Sequence, residues 1–142
     1  MEYVPDEKDL LILEALRDHG DSTVRQIAKK TLLPATTIHS RIGKLRKAGV
    51  IKKFTIEVDP KKLGLKIGAC LLISADLKKR KSRSSLASEL AKLKEIERAD
   101  TALGGADIIV KLNAKGSEEM DKVINKIQLM EGVSKIRIMI IK

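Results

Sequence analysis

The stretch STVRQIAKKTLLPATTIHSRIGKLRKAGVIKKFTI, residues 22–56, decides how this chain folds. It holds nine bases (Arg25, Lys29, Lys30, Arg41, Lys44, Arg46, Lys47, Lys52 and Lys53) and no acid. The same stretch carries helical apolar spacing. Thr23 and Gln26 form the Ser/Thr-x-x-Glu/Gln pattern of a capping box, which predicts a short helix to about Lys30 with Val24, Ile27 and Ala28 inward. Leu32 and Leu33 form an apolar turn. Pro34 suits the first position of a further helix, because its missing N–H is not needed there, and Gly49 ends that helix. A foldable segment with charge of one sign builds a cationic surface, whose natural partner is a polyanion.

Upstream, Asp6 is the expected N-cap of a first helix, with Glu7 and Asp9 in its first turn, where the helix dipole favours acids. Leu10, Leu13 and Leu16 are expected to share its inner face, and Gly20 stops it. Three helices, the last two joined by a tight turn, make a helix-turn-helix. Projection at 100° per residue puts Ile38, Ile42 and Leu45 on the inner face of the third helix. Thr36, Ser40, Gly43, Lys44 and Lys47 face away, with Thr37 and Arg41 on one flank and His39 and Arg46 on the other. In this motif the N-terminal half of the last helix enters the major groove of double-stranded DNA. Thr36, Thr37 and Ser40 can read base edges there, and Arg41 and Lys44 can reach phosphates or guanine. With His39 and Lys47 they make up the candidate DNA contacts. The competing reading of the same pattern is a solvated basic helix in a small bundle.

Val50, Ile51, Phe54, Ile56 and Val58 continue as an expected wing or exit strand. A turn at residues 59–64 separates a first domain, 1–58, from a second, 65–142. The second alternates strand and helix. Strands are expected at 65–77, 96–103, 107–112 and 133–141, and helices are expected to begin at Ser84 or Ser85 and at Ser117. The order is βαββαβ, the ferredoxin-like split βαβ. The fold class is therefore α+β. The basic loop 78–83 is read as solvated, with additional phosphate contacts as the other reading.

The 142 residues suffice for one ordinary domain or two small ones, and 43% hydrophobic content excludes general disorder. No apolar run approaches the ~20 residues of a membrane span, and the N-terminus lacks the plan of a secretion signal, so a cytoplasmic protein is expected. Cys70 is the single cysteine, which excludes an internal disulfide and a cysteine-cluster metal site. Its apolar neighbours predict a buried structural thiol. The only histidines, His19 and His39, lie in the DNA-binding half, and no nucleophile arrangement, phosphate loop or metal cluster is present. No catalytic residue, metal or cofactor is therefore expected.

The run Leu32-Leu33-Pro34-Ala35-Thr36-Thr37-Ile38-His39-Ser40-Arg41-Ile42-Gly43-Lys44-Leu45, followed by Ala48-Gly49-Val50-Ile51-Lys52-Lys53-Phe54 and Asp59-Pro60-Lys61-Lys62-Leu63-Gly64, closely resembles the feast/famine (Lrp/AsnC) transcription regulators. Gly104-Gly105-Ala106-Asp107 is similar to that family's Gly-x-Tyr-Asp turn, and Gly132-Val133 to the start of its final strand. The resemblance spans nearly the whole chain. It implies a winged helix-turn-helix followed by a ferredoxin-like effector and oligomerisation domain that dimerises and often builds tetramers, octamers or larger forms. It also implies an amino-acid or related effector beside the turn, so Gly104, Gly105 and Asp107 are the candidate effector contacts. A plain hairpin turn is the other reading of those residues. The sequence departs from the family at Pro34, where serine is usual, at Ala106, where tyrosine is common, and at Ile136 and Ile138, where many members carry threonine. Two further functions stay open. One is a small-molecule sensor acting on protein partners. The other is an enzyme, since some haem-pathway decarboxylases resemble the family in both halves.

Overall fold

The structure is a computed structural model that describes residues 2–79 and 82–141. The chain divides into two compact units, 1–58 and 59–142, each with its own apolar core.

In the first unit α1 spans Glu7–Asp18, α2 Val24–Thr31 and α3 Ala35–Lys47. The sequence starts α1 with three acids, Asp6, Glu7 and Asp9, of which Asp6 and Asp9 form a capping box. Asp6 Oδ1 accepts from the Asp9 amide at 2.9 Å, and the Asp9 carboxylate accepts from the Asp6 amide at 3.0 Å. This reciprocal box satisfies amides that the first turn leaves unpaired. The inner face of α1 differs from the expected one. Ile12 and Ala15 are buried and Leu16 packs beside them, whereas Leu10 is 57% exposed. Residues 10–13 are all apolar, so spacing alone does not phase the helix; the observed rotation seats Ile12, Ala15 and Leu16 on the core and buries Asp9 with them. The capping box at Thr23 and Gln26 forms as expected, and Ile27 is fully buried.

Leu32 links α2 to α3 with φ 59°, the only non-glycine positive φ among the described residues, and its side chain is 89% exposed. The left-handed conformation is unfavourable for a residue with a Cβ; here it directs Leu33 back onto the core. Pro34 precedes α3 without a side-chain cap. Ile38 and Leu45 are fully buried and Ile42 partly so, as the projection predicts. Gly49, at φ 73°, ends this segment in a conformation that costs glycine little.

The expected wing or exit strand is absent: residues 50–58 form no strand in the described chain. Phe54 is 50% exposed and Ile56 82%. An extended segment needs a partner for its backbone ladder, and the first unit supplies none. The Arg46 guanidinium lies 5.9 Å from the centre of the Phe54 ring, a distance suited to a cation–π contact.

The second unit opens with a 3-10 helix at Pro60–Leu63, started by Asp59, whose side chain accepts from the Lys61 amide. Then follow β1 Ile67–Ala75, α4 Arg83–Leu90, β2 Ile96–Thr101, β3 Ile108–Ala114, α5 Ser117–Gln128 and β4 Val133–Ile141. The sheet order is β2-β3-β1-β4 and every pairing is antiparallel. This is the ferredoxin-like arrangement the element order predicts. Ser82, rather than Ser84 or Ser85, caps α4 by accepting from the Ser85 amide at 3.1 Å. Of the basic loop 78–83, Arg80 and Lys81 lie outside the described residues.

Register fixes the two faces of the sheet. Ala69, Leu71 and Ile73 stand opposite Leu112, Val110 and Ile108, and all six are fully buried with Leu86, Leu90 and Ile127 of the helices. The alternate residues face the other way: Cys70 opposite Met139, and Leu72 opposite Ile109 on one side and Arg137 on the other. Cys70 is thus half-buried on the side away from the helices, not in the core. Apolar residues occupy both phases of β1, so composition could not tell which face the thiol takes. Among the described residues no helix is long and apolar enough to cross a membrane.

Candidate functional site

The exposed side of α3 is built by its buried side. With Ile38 and Leu45 fixed inward, Thr36, His39, Ser40, Lys44 and Lys47 are exposed, and Thr37 sits half-buried at the flank. Thr36, Thr37, Ser40, Arg41 and Lys44 line an open groove of about 540 Å³ together with Tyr3, Val4, Asp6 and Asp9. His39 and Lys47 stand outside it. Gly43 is exposed, and a Cβ there would meet nothing within 4 Å.

Arg41, expected from the sequence to reach phosphate or guanine, is held by two acids of the same unit. Its Nη1 donates to both Asp6 carboxylate oxygens at 2.7 Å and to Asp9 Oδ1 at 2.9 Å. The Tyr3 hydroxyl donates to Asp9 Oδ2 at 2.7 Å. Asp9 is 1% exposed, the single buried charged side chain among the described residues. Burial pushes its carboxyl up, but the Tyr3 hydroxyl, the Asp6 amide and Arg41 outweigh that and hold it below the usual carboxylate range. Hydrogen bonding from Arg41, then from the Asp9 amide, likewise lowers Asp6. Tyr3 is raised, chiefly because its hydroxyl donates to a carboxylate. Sequence reading missed Tyr3 and Asp9 as parts of this face. The available signal was the second acid of the Asp6-x-x-Asp9 box.

In the second unit the turn between β2 and β3 closes with Ala102 N–H donating to the Asp107 carbonyl at 2.8 Å. Gly104 has φ 114°, a conformation that excludes most other residues. Asp107 Oδ2 accepts from the Ala75 amide at 2.9 Å, and Oδ1 accepts from Arg83 Nε at 2.5 Å. The Ala75 amide, then Arg83, keep this carboxyl below its ordinary value. Arg137 of β4 donates to the Gly105 carbonyl. The turn therefore brings Gly104, Gly105 and Asp107 together and adds two arginines that the sequence reading did not single out. Both come from elements distant in sequence, so no local motif marks them.

Asp107 gives a measurable consequence. Its folded carboxyl is depressed, so its stabilisation is complete above the ordinary carboxylate pKa of about 4 and disappears as pH falls through the lower folded value. Asp107→Asn is expected to destabilise the second unit by about 1.5–3 kcal/mol at neutral pH, the usual range for hydrogen bonds involving a charged group. The difference from wild type should shrink as pH falls below the ordinary carboxylate range and through the depressed folded value, because wild-type Asp107 then protonates as well. Denaturant melts at several pH values check this.

A helix-turn-helix with an acid-free stretch, followed by a ferredoxin-like domain, is the architecture of a DNA-binding transcriptional regulator with a ligand-binding domain, and the family models match it as such. Residues 5–52 match the winged helix-turn-helix DNA-binding family model, and residues 68–142 match that of the Lrp/AsnC ligand-binding domain. The chain belongs to the Lrp/AsnC family. It is 40% identical over 136 residues to the HTH-type transcriptional regulator FL11 of Pyrococcus horikoshii, covering 96% of this chain and 88% of that protein. The structure of E. coli AsnC is similar at a TM-score of 0.77 and 31% identity, covering 98% of this chain and 93% of that one. A Neisseria meningitidis transcriptional regulator solved in complex with L-Met shares the fold at a TM-score of 0.84 and 18% identity, covering 98% and 90%.

Proposed function

We propose that this protein is a sequence-specific regulator that inserts the N-terminal half of α3 into the major groove of double-stranded DNA. The observation that carries this reading is the outward face of α3. Thr36, Thr37 and Ser40 form a short polar row of base-edge size above a buried apolar row, and Lys44, Lys47 and His39 extend it towards phosphates. The absence of acids across residues 22–56 supports it.

Self-association completes the reader. Leu72, Ile109, Met139 and Ile141 leave an apolar surface on the uncovered side of the sheet, and Ile109, Met139 and Ile141 are 39–49% exposed. A surface of this kind favours association of a homo-oligomer, a dimer or a larger form such as an octamer. A two-fold pair would read half-sites about one helical turn, or a multiple of it, apart. Selection of duplexes from a randomised pool, with light scattering on the free protein, tests both parts. A pool that fails to converge would remove sequence specificity, and a monomer at working concentration would remove the paired reader.

The effector is read as an amino acid held at Gly104, Gly105 and Asp107. The L-Met bound to the Neisseria regulator supports this choice of class. Glycine backbone at 104 and 105 permits close approach of a carboxylate. A carboxylate offers about four acceptor sites, so Asp107 can receive an ammonium group while keeping its bonds to Ala75 and Arg83. Calorimetric titration with each standard amino acid is the test; no heat from any of them at millimolar concentration would rule the effector out.

A further inference from the structure

We propose that Arg41 is a positioning residue of the DNA reader, locking the angle of α3 through Asp6, Asp9 and Tyr3, and is not itself a DNA contact. The inference rests on the DNA-binding reading and reassigns one of its residues.

Three observations converge on it. First, the guanidinium is already engaged: one nitrogen meets Asp6 and Asp9 at 2.7–2.9 Å, and the Arg41 side chain is only 22% exposed. Releasing it to a phosphate would leave the Asp9 carboxylate buried without its counter-ion, which is strongly unfavourable. Second, the cluster of Asp6, Asp9 and Arg41 carries two negative charges against one positive. A phosphate anchor needs the opposite balance.

Third, the cluster sits where orientation matters most. Arg41 follows Ser40 directly and lies four and five residues after Thr37 and Thr36, about 6–7.5 Å along the helix axis. Below it, α3 packs through Ile38 onto Ile12 and Ile27, an apolar contact without directional preference. Charge-assisted hydrogen bonds are directional and fix the angle that apolar packing leaves loose. They also tie α3 to the capped start of α1, because Asp6 and Asp9 serve both structures. Tyr3 closes the cluster from the N-terminal side.

The test uses the full chain, its preferred duplex enriched from a randomised pool and a scrambled duplex, with Asp9→Asn, Arg41→Gln, their combination and the milder Tyr3→Phe. Tyr3 is the single tyrosine and the chain has no tryptophan, so ultraviolet titration of the phenol reports on the cluster without DNA. In Asp9→Asn that titration should fall towards the ordinary tyrosine value of about 10. Asp9→Asn and Arg41→Gln should each lower the preferred-to-scrambled affinity ratio roughly tenfold, the order of one lost base contact. Tyr3→Phe should lower it less. Scrambled-duplex binding and the slope of log K against log salt should stay at wild-type values. The double variant should be no worse than the weaker single one, since both changes break one unit.

Loss of general stability alone would reduce binding to both duplexes equally and overturn the proposal. So would a salt slope lowered by about 0.9 in Arg41→Gln, the mark of a lost phosphate contact. Unchanged or tighter binding by Asp9→Asn would also overturn it, because removing an acid helps a competing phosphate. If wild type instead prefers no duplex while Tyr3 titrates high, the DNA-reading function fails and the cluster stands as a purely structural device.

Discussion

Ile38→Ala is expected to melt the first unit while leaving the second folded. Ile38 is fully buried and clusters with Ile12, Ala15 and Ile27, which together with the buried Leu45 make up that unit's small core among the described residues. Cutting an isoleucine back to alanine in such a site removes about 2–5 kcal/mol, from lost burial plus the cavity left behind. A unit of this size rarely has more than about 3–5 kcal/mol to lose. The sheet domain keeps a separate core of Leu71, Ile73, Val110, Leu112 and their neighbours, which the substitution does not touch. Calorimetry should therefore show a low-temperature transition shifted down by roughly 10 °C or more and a second that is unmoved. DNA binding should disappear with the first transition. A single transition shifted as a whole would mean that the two units melt cooperatively, and a shift of a degree or two would mean that Ile38 is not the keystone its burial indicates.

Ile38 is also an instance of what was legible in the sequence. The third helix has a clean period, Ile38-Ile42-Leu45, interrupted by polar residues, and its orientation follows from that spacing. The capping box at Thr23 and Gln26 and the last strand at Val133–Ile141 were readable for the same reason: each is encoded by residues close together in the chain. What could not be read depends on distant partners. The inner face of α1 includes a buried Asp9, whose counter-ion Arg41 lies thirty-two positions away. The extended look of residues 50–58 is genuine β patterning, yet pairing needs a neighbouring strand. Cys70 lies in a strand apolar on both faces, so only the register with Met139 places it. At the candidate sites the same rule applies. Thr36, Thr37 and Ser40 were visible from one helix, and the Gly104–Asp107 turn from four residues. Arg83 and Arg137 reach that turn only through the folded sheet.

Gly43→Leu is expected to strengthen the fold and weaken DNA binding. Glycine in a helix interior costs about 1 kcal/mol relative to alanine, and leucine is nearly as good a helix former as alanine. Nothing among the described residues calls for glycine here. The position has no left-handed φ, is exposed, and has nothing within 4 Å of an added Cβ. A role for the missing side chain would then lie with what packs against α3 when the protein binds DNA. Gly43 shares its face with Thr36, Ser40 and Lys47, three to seven residues away at helical spacing, so a bulky side chain would hold those residues off the groove floor. Gly43→Ala should raise the first melting transition by an amount worth about 1 kcal/mol and leave most DNA affinity intact. Gly43→Leu should give a comparable stability gain but bind the preferred duplex roughly tenfold more weakly, the order of one disrupted base pair contact. The salt slope should be unchanged in both, since neither alters a charge. The opposing signs of the stability and binding changes are the informative part, because a damaged fold cannot produce them. If Gly43→Leu binds as tightly as wild type, this face of α3 does not meet DNA, and the groove-reading assignment of Thr36 and Ser40 falls with it.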